Sequence, residues 1–248
     1  MSQPFGHSLL SLKVQVPFWI CTLIWGTTWF VIRGQLGIVP PSWSVTYRFG
    51  VSALAMFAYA WLKGERLTLD RRQHRFVLLF GVAQFVFNFN FVYRAEAYIT
   101  SGLVAILFAL LIVPNTLLAR FFLGLRATKQ FYLGSSVAIA GIVLLFINEY
   151  RQGGGGDTVL LGIGLTLLGV LSASIANILQ ATPRAHEMPM ATMLAWGMTW
   201  GTLANALWAW GSVGPPSIEW NITYIGGVLY LGLRPRQWRS WPISASSG

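Results

Sequence analysis

The sequence holds little charge and very little acid. Of its 248 residues, 10% are Asp, Glu, Lys or Arg, and only 7 of those are acidic. An ordinary soluble domain is about a quarter charged, so the chain has too little polar surface to coat a globule in water. Disorder is excluded by the same composition, because it requires low hydrophobicity and 55% of this chain is apolar. Cysteine is reduced to Cys21, which removes a disulfide framework and any cysteine-based metal cluster. HExxH and GxSxG motifs are missing, and the histidines His7, His74 and His186 fall in a terminal segment or in loops. No catalytic residue, metal site or cofactor is therefore expected. The chain does not read as an enzyme; an intramembrane enzyme would need a nucleophile–base pair that is not on offer.

Long apolar runs are what the chain does contain. A helix crossing a ~30 Å hydrocarbon core needs about 20 mostly apolar residues. Seven such runs occur, over 14–32, 42–62, 76–93, 97–119, 131–148, 159–181 and 190–210, and an eighth starts at 222 and stops at 233. The first is too long for a signal-peptide core and lacks a small-residue cleavage site, so it reads as a retained helix.

Cationic residues then set the orientation. With a cytoplasmic N-terminus, the inner segments carry Lys13, then Lys63, Arg66, Arg71, Arg72 and Arg75, then Arg120, Arg126 and Lys129, then Arg184, and finally Arg234, Arg236 and Arg239. The outer segments carry only Arg33, Arg94 and Arg151, and Arg48 falls inside a span. That asymmetry is what positive-inside topology predicts. It accounts for the net charge of +10 without nucleic acid as a partner. The expected partners are the lipid bilayer and a small-molecule substrate, in the inner or plasma membrane, with a homodimer also to be considered.

A shift of 148 residues lays 14–32 on 162–180 and 42–62 on 190–210, with Pro41 on Pro189. Five runs precede the glycines at 153–156, which are followed by Asp157 rather than Lys-Ser/Thr and so read as a linker, not a phosphate loop. An odd number of helices per copy forces the second copy into the opposite topology, as in many transporters. The expected fold class is an all-α multi-pass membrane protein built on an inverted repeat of five-helix units. Residues 14–148 form the first unit, 149–158 a linker, 159–233 an incomplete second unit of about two and a half helices, and 234–248 a basic, polar tail foreign to the pattern. In that tail, three arginines and two prolines stand where the shift calls for a continuing helix. Arginine at the bilayer centre costs about 2.5–3.5 kcal/mol, so a frame change or truncation after about Leu233 is expected. A truncated, inactive membrane protein is the matching alternative function.

Several motifs fall in a telling order. Trp25-Gly-Thr-Thr-Trp29 is followed by Pro40-Pro41, Tyr47-Arg48-Phe49 and the basic loop Lys63-Gly-Glu-Arg66. Further on come Tyr98-Ile-Thr-Ser-Gly102, Val113-Pro114, Phe122-Leu-Gly124, Leu133-Gly134 and Ala140-Gly141. Over about residues 15–232 this resembles the EamA-type transporters of the drug/metabolite transporter superfamily. The resemblance implies a ten-helix inner-membrane carrier that moves amino acids, other metabolites or drugs, often outward, by alternating access. The chain departs from the family's usual Gly-Glu after the fourth helix, having Gly124-Leu125-Arg126 instead, which removes a cytoplasmic carboxylate.

Polar groups inside spans are costly and are therefore candidates for function. Arg48 either snorkels to headgroups or contacts an anion or carbonyl in a translocation cavity; the resemblance favours the cavity. Gln84 and Asn88, four apart, share a helix face and either line a cavity or bond a neighbouring helix, while Asn90 points away. Trp25 and Trp29, with Gly26 beside them to permit close approach, are aromatic gates or plain packing. Under the repeat shift Trp29 falls on Asn177. Pro114, next to Asn115, should break a turn of the fourth helix and free a carbonyl. The substrate-binding candidates are thus Trp25, Gly26, Trp29, Arg48, Gln84, Asn88, Pro114 and Asn177. Gly197, Gly201 and Asn205 form a stripe assigned to helix packing. No Asp, Glu or His lies within a span, which leaves Glu96 as the one candidate for proton coupling, with facilitated movement as the alternative.

Overall fold

A computed structural model of the chain describes residues 12–35, 37, 39–152 and 156–233. Among these residues every regular element is helical. The helices are α1 Leu12–Gly34, α2 Pro41–Leu62, α3 Arg71–Gly81, α4 Asn88–Ala95, α5 Ser101–Ala109 and α6 Ile112–Leu123. They continue with α7 Lys129–Gln152, α8 Gly156–Gln180, the short α9 Pro183–His186, α10 Met190–Val213 and α11 Ile222–Gly232. A π-helical segment, Val82–Phe87, joins α3 to α4 in one rod, and a turn at Leu110–Leu111 joins α5 to α6.

Counting each joined pair as one rod, seven long helices coincide with the seven apolar runs. Four stretches, Arg71–Ala95, Ser101–Leu123, Lys129–Ile147 and Gly156–Gln180, are long and apolar enough to cross a membrane by length and composition. The protein is an all-α multi-pass membrane protein. The eighth run is α11, whose 11 residues reach only about 16 Å. The linker is shorter than expected: α7 runs on to Gln152 and α8 starts at Gly156, leaving 153–155 and the tail at 234–248 outside the described residues.

Local chemistry sets the helix ends. Asp70 Oδ1 accepts the backbone N–H groups of Arg72 at 2.7 Å and Gln73 at 2.8 Å, and Gln73 Oε1 accepts the Asp70 N–H at 3.0 Å, closing a capping box at the start of α3. The bond from Gln73 leads in holding the Asp70 carboxyl below its usual value. α2 and α10 both begin directly after a proline, Pro40 and Pro189, where the preceding chain is steered away from helix. The turn at Leu110–Leu111 lies one turn before Pro114, which has no N–H to offer Leu110.

α2 and α10 make the most extensive helix pair. α10 also packs on α3 and the π segment, and α8 packs on α4, α5, α6 and the π segment. α11 rests on α2 and α1. Exchanging α1 with α8, α2 with α10 and the α3–α4 rod with α11 turns the α3–α10 pair into α11–α2 and the α8–α4 pair into α1–α11, while α2–α10 maps onto itself. The tightest crossing is made by glycine. A Cβ on Gly81 would collide with the Gly197 carbonyl, and one on Gly201 would lie 2.7 Å from Phe85 Cβ. Around this crossing Phe49, Met56, Phe80, Met193 and Met198 form the main buried cluster.

Candidate functional site

Between α2, the α3–α4 rod, α8 and α10 lies a cavity of about 450 Å³. Its wall is mostly apolar, with five phenylalanines, Phe49, Phe80, Phe85, Phe89 and Phe108, and is broken by five long polar side chains: Arg48, Gln84, Asn88, Asn177 and Gln180. Thr28 and Ile32 bring α1 to its edge, and Leu194 and Met198 supply the α10 side.

Arg48 is 1% exposed, so it does not reach a headgroup. Its guanidinium carbon lies 4.5 Å from the Phe89 ring centre and 5.0 Å from that of Phe49, both within cation–π range. Its Nε and Nη1 have no hydrogen-bond partner. A buried charge without a partner is costly, and two ring faces compensate only part of that cost.

Gln84 belongs to the π segment and Asn88 opens α4. Gln84 Oε1 and Asn88 Oδ1 are buried without a donor. The widened turn disturbs the regular carbonyl ladder, and neighbouring side chains bond two of its carbonyls. Ser172 Oγ donates to the Ala83 carbonyl at 2.8 Å, and Asn90 Nδ2 donates to the Val86 carbonyl at 2.9 Å. Asn90 sits away from the cavity in a closed network. It bonds Asn205, it accepts from Ser42 Oγ at 2.8 Å, and Asn205 Nδ2 reaches the Ser42 carbonyl and Thr46 Oγ1 at 2.6 Å each.

Across the cavity, Asn177 Nδ2 donates to Asn115 Oδ1 at 3.3 Å. Four sequence candidates, Arg48, Gln84, Asn88 and Asn177, are therefore brought to one cavity. Two are not. Pro114 is absent from the wall; the helix breaks one turn before it, at Leu110–Leu111, and Phe108 and Leu111 beside that break line the cavity. Gly26 is exposed, and a Cβ there would meet nothing within 4 Å, so no close approach depends on it. The side chains of Trp25 and Trp29 lie outside the described residues.

Glu96 caps α4 one turn beyond Val92, which touches the cavity. It is 4% exposed, accepts from Ser101 Oγ at 2.9 Å through Oε2, and has no partner for Oε1. Burial raises its pKa from 4.5 to about 7, with Ser101 and Arg33 pulling the other way. Among the described residues no group of three His, Cys, Asp or Glu is placed to hold a metal. A second, larger cavity of about 710 Å³ between α5, α7 and α8 is apolar apart from Tyr150 and Arg151.

Sequence reasoning missed Gln180, Thr28 and the phenylalanine wall. Gln180 closes α8 and reads as a span boundary, and a phenylalanine in an apolar run has no contrast with its neighbours.

The sequence model of the EamA-like transporter family matches residues 17–147, which spans α1 to most of α7 and includes Arg48, Gln84 and Asn88. The chain belongs to the EamA-like transporter family. Protein PagO of Salmonella typhimurium is 28% identical over 138 residues, which are 56% of this chain and 45% of PagO. The uncharacterized transporter YoaV of Bacillus subtilis is 20% identical over 222 residues, 90% of this chain and 75% of YoaV. The uncharacterized inner membrane transporter YedA of Escherichia coli is 26% identical over 142 residues, 57% of this chain and 46% of YedA. In PagO and YedA the matched stretch is less than half of the relative's length. No solved structure matches the chain. Within the EamA-like frame, Asn177 and Gln180 lie beyond the matched residues, on the helix that the 148-residue shift relates to α1.

Proposed function

We propose that this chain carries a small organic solute outward across the inner membrane, through the cavity around Arg48 and by alternating access. The N-terminus is cytoplasmic, and residues 14–148 and 159–233 act as two inverted units. Arg48 is the observation that carries the reading: a cation 1% exposed, with two unpartnered N–H donors, at the wall of a 450 Å³ cavity. Such an arrangement is costly unless an anion completes it. The buried acceptors Gln84 Oε1 and Asn88 Oδ1 call for a donor on the same solute, and the phenylalanines for an apolar body. The solute thus bears a carboxylate-like group, a hydrogen-bond donor and an apolar or aromatic side. Glu96 supplies proton coupling from the end at which α4 finishes.

Radiolabelled phenylalanine, benzoate and phenethylamine in proteoliposomes test this, since one ring carries both charges, the anion alone or the cation alone. Phenylalanine should move fastest, and Arg48→Gln should lower its flux by at least tenfold, the effect of losing about 1.4 kcal/mol or more of a charge-assisted bond. Equal flux for all three probes, or full flux in Arg48→Gln, would reject the assignment of the cavity. No flux of any solute would favour a chain that inserts but does not transport.

A further inference from the structure

Two sets of hydrogen bonds, at opposite ends of the bundle, tie one half to the other. Where α2 begins, Trp43 donates its indole N–H to the Gly214 carbonyl at 3.2 Å, and Tyr47, one turn on, donates its hydroxyl to the Ser217 carbonyl at 2.9 Å. Both acceptors lie in the segment between α10 and α11. Where α10 begins, Thr192 donates its hydroxyl to the Arg66 carbonyl at 2.8 Å, and Trp196, one turn on, donates its indole N–H to the Leu67 carbonyl at 2.8 Å. These acceptors lie in the segment between α2 and α3.

The two sets are images of each other. The 148-residue shift carries Arg66 onto Gly214, and Trp43 and Tyr47 fall within one position of Thr192 and Trp196. In each set, two donors spaced i, i+4 on the first two turns of a helix hold the loop that leads into the third helix of the opposite half. Each set is braced by rings: Trp43 stacks on Tyr47 with centroids 5.9 Å apart, and His74 meets the Trp196 ring edge to face at 4.6 Å. The Ser42–Thr46–Asn205 network ties α2 to α10 beside the first set, and between the sets the glycine crossing holds α3 and the π segment against α10 at mid-depth. A close crossing at mid-depth with a tie at each end is the geometry of a rocker, in which one tie serves as hinge while the other opens.

We propose that these are reciprocal clamps, one closing each end of the cavity, and that passage of a solute releases them alternately. The proposal rests on the transport reading of the cavity but concerns different residues. Its chemistry requires only that each clamp bias the opening of its own end.

The test uses Ala173→Cys, a small cavity-wall position, in the Cys21→Ala full chain. Labelling by a membrane-impermeant maleimide is measured in right-side-out and inside-out vesicles. Trp43→Phe with Tyr47→Phe removes the donors of one clamp, and Thr192→Val with Trp196→Phe removes those of the other. The first pair should raise labelling from the side of the α1–α2 connection, and the second from the side of the α2–α3 loop. Each should change the ratio between sides about fivefold or more, the effect expected from one or two lost hydrogen bonds. Ser44→Ala, which cuts the Ser44–Tyr224 bond between α2 and α11 at 2.8 Å without touching either loop, should leave the ratio unchanged. An unchanged ratio, or an equal rise from both sides, in the two clamp variants would overturn the proposal. If a double variant fails to insert, Tyr47→Phe and Thr192→Val alone carry the same test. Labelling needs no solute, so side-specific labelling without flux would sink the transport reading and spare the clamps, whereas flux with no side-specific change would do the reverse.

Discussion

At the scale of single residues, Glu96 turns geometry into a pH dependence. Its carboxyl is buried at the end of α4 with one oxygen unpartnered, and burial lifts its pKa from 4.5 to about 7. An acid whose folded pKa is raised stabilises the folded state fully below its unfolded value, and that contribution is lost as pH rises through the folded value. The Glu96 contribution is thus present below about pH 4.5 and gone above about pH 7, with an upper bound on the order of 3 kcal/mol. In detergent, the melting temperature of the wild type should fall between pH 5 and pH 8 by more than that of Glu96→Gln. Parallel pH curves for the two proteins would mean that the carboxyl is hydrated rather than buried. Legibility at this scale follows contrast. Arg48, Gln84, Asn88 and Asn177 stand out in the sequence because lipid-facing segments do not tolerate such groups. Phe49, Phe85 and Phe89 do not, since an apolar run looks the same whether its rings face lipid, core or cavity.

At the scale of elements, the prolines ahead of α2 and α10 stood out in the sequence as a matched pair, whereas the Asp70 box did not: the apolar run begins at residue 76, and polar Arg71–Arg75 carry α3 one turn further back. The π segment was not legible either, because Val82–Phe87, apolar but for Gln84, holds no breaking residue, and the Ala83 carbonyl is bonded from a distant position, Ser172. The glycine crossing was half legible. Gly197 and Gly201 read as a packing stripe, but Gly81 acquires meaning only once α3 lies across α10. An added methyl at Gly81 has a backbone carbonyl in its way, which cannot rotate aside as a side chain would. Gly81→Ala should destabilise the detergent-solubilised protein by about 1–3 kcal/mol, the usual range for overpacking. Gly141→Ala, where a Cβ would meet nothing within 4 Å, should be neutral or up to about 1 kcal/mol stabilising, from helix propensity. Paired melting curves decide between a real close approach and an incidental one.

At the scale of the molecule, topology follows from where the charges sit on the bundle. Lys63, Arg66, Arg71, Arg72 and Arg75 cluster at one end, around the α2–α3 connection, and Arg120, Arg126 and Lys129 join them around the α6–α7 connection. The opposite end carries Arg33, Arg94 and Arg151, with Glu96 buried two residues from Arg94 in sequence and within reach of the Arg33 charge. Moving the clustered end outward would translocate eight cations in two short loops, which the insertion machinery strongly disfavours. Held inside, the same loops face an anionic leaflet that attracts each cation by about 1 kcal/mol. A cysteine placed at Gly64, at the exposed tip of the α2–α3 loop in the Cys21→Ala chain, should therefore resist an impermeant maleimide in intact cells and react once they are opened. A cysteine at Trp220, an exposed position between α10 and α11, should react from outside. The two positions report opposite faces for a physical reason: α2 and α10, the most extensive pair in the bundle, start from opposite sides, each after its proline. If both cysteines reacted from the same face, α2 and α10 would not run in opposite senses across the bilayer, and both the inverted arrangement and the paired clamps built on it would fall together.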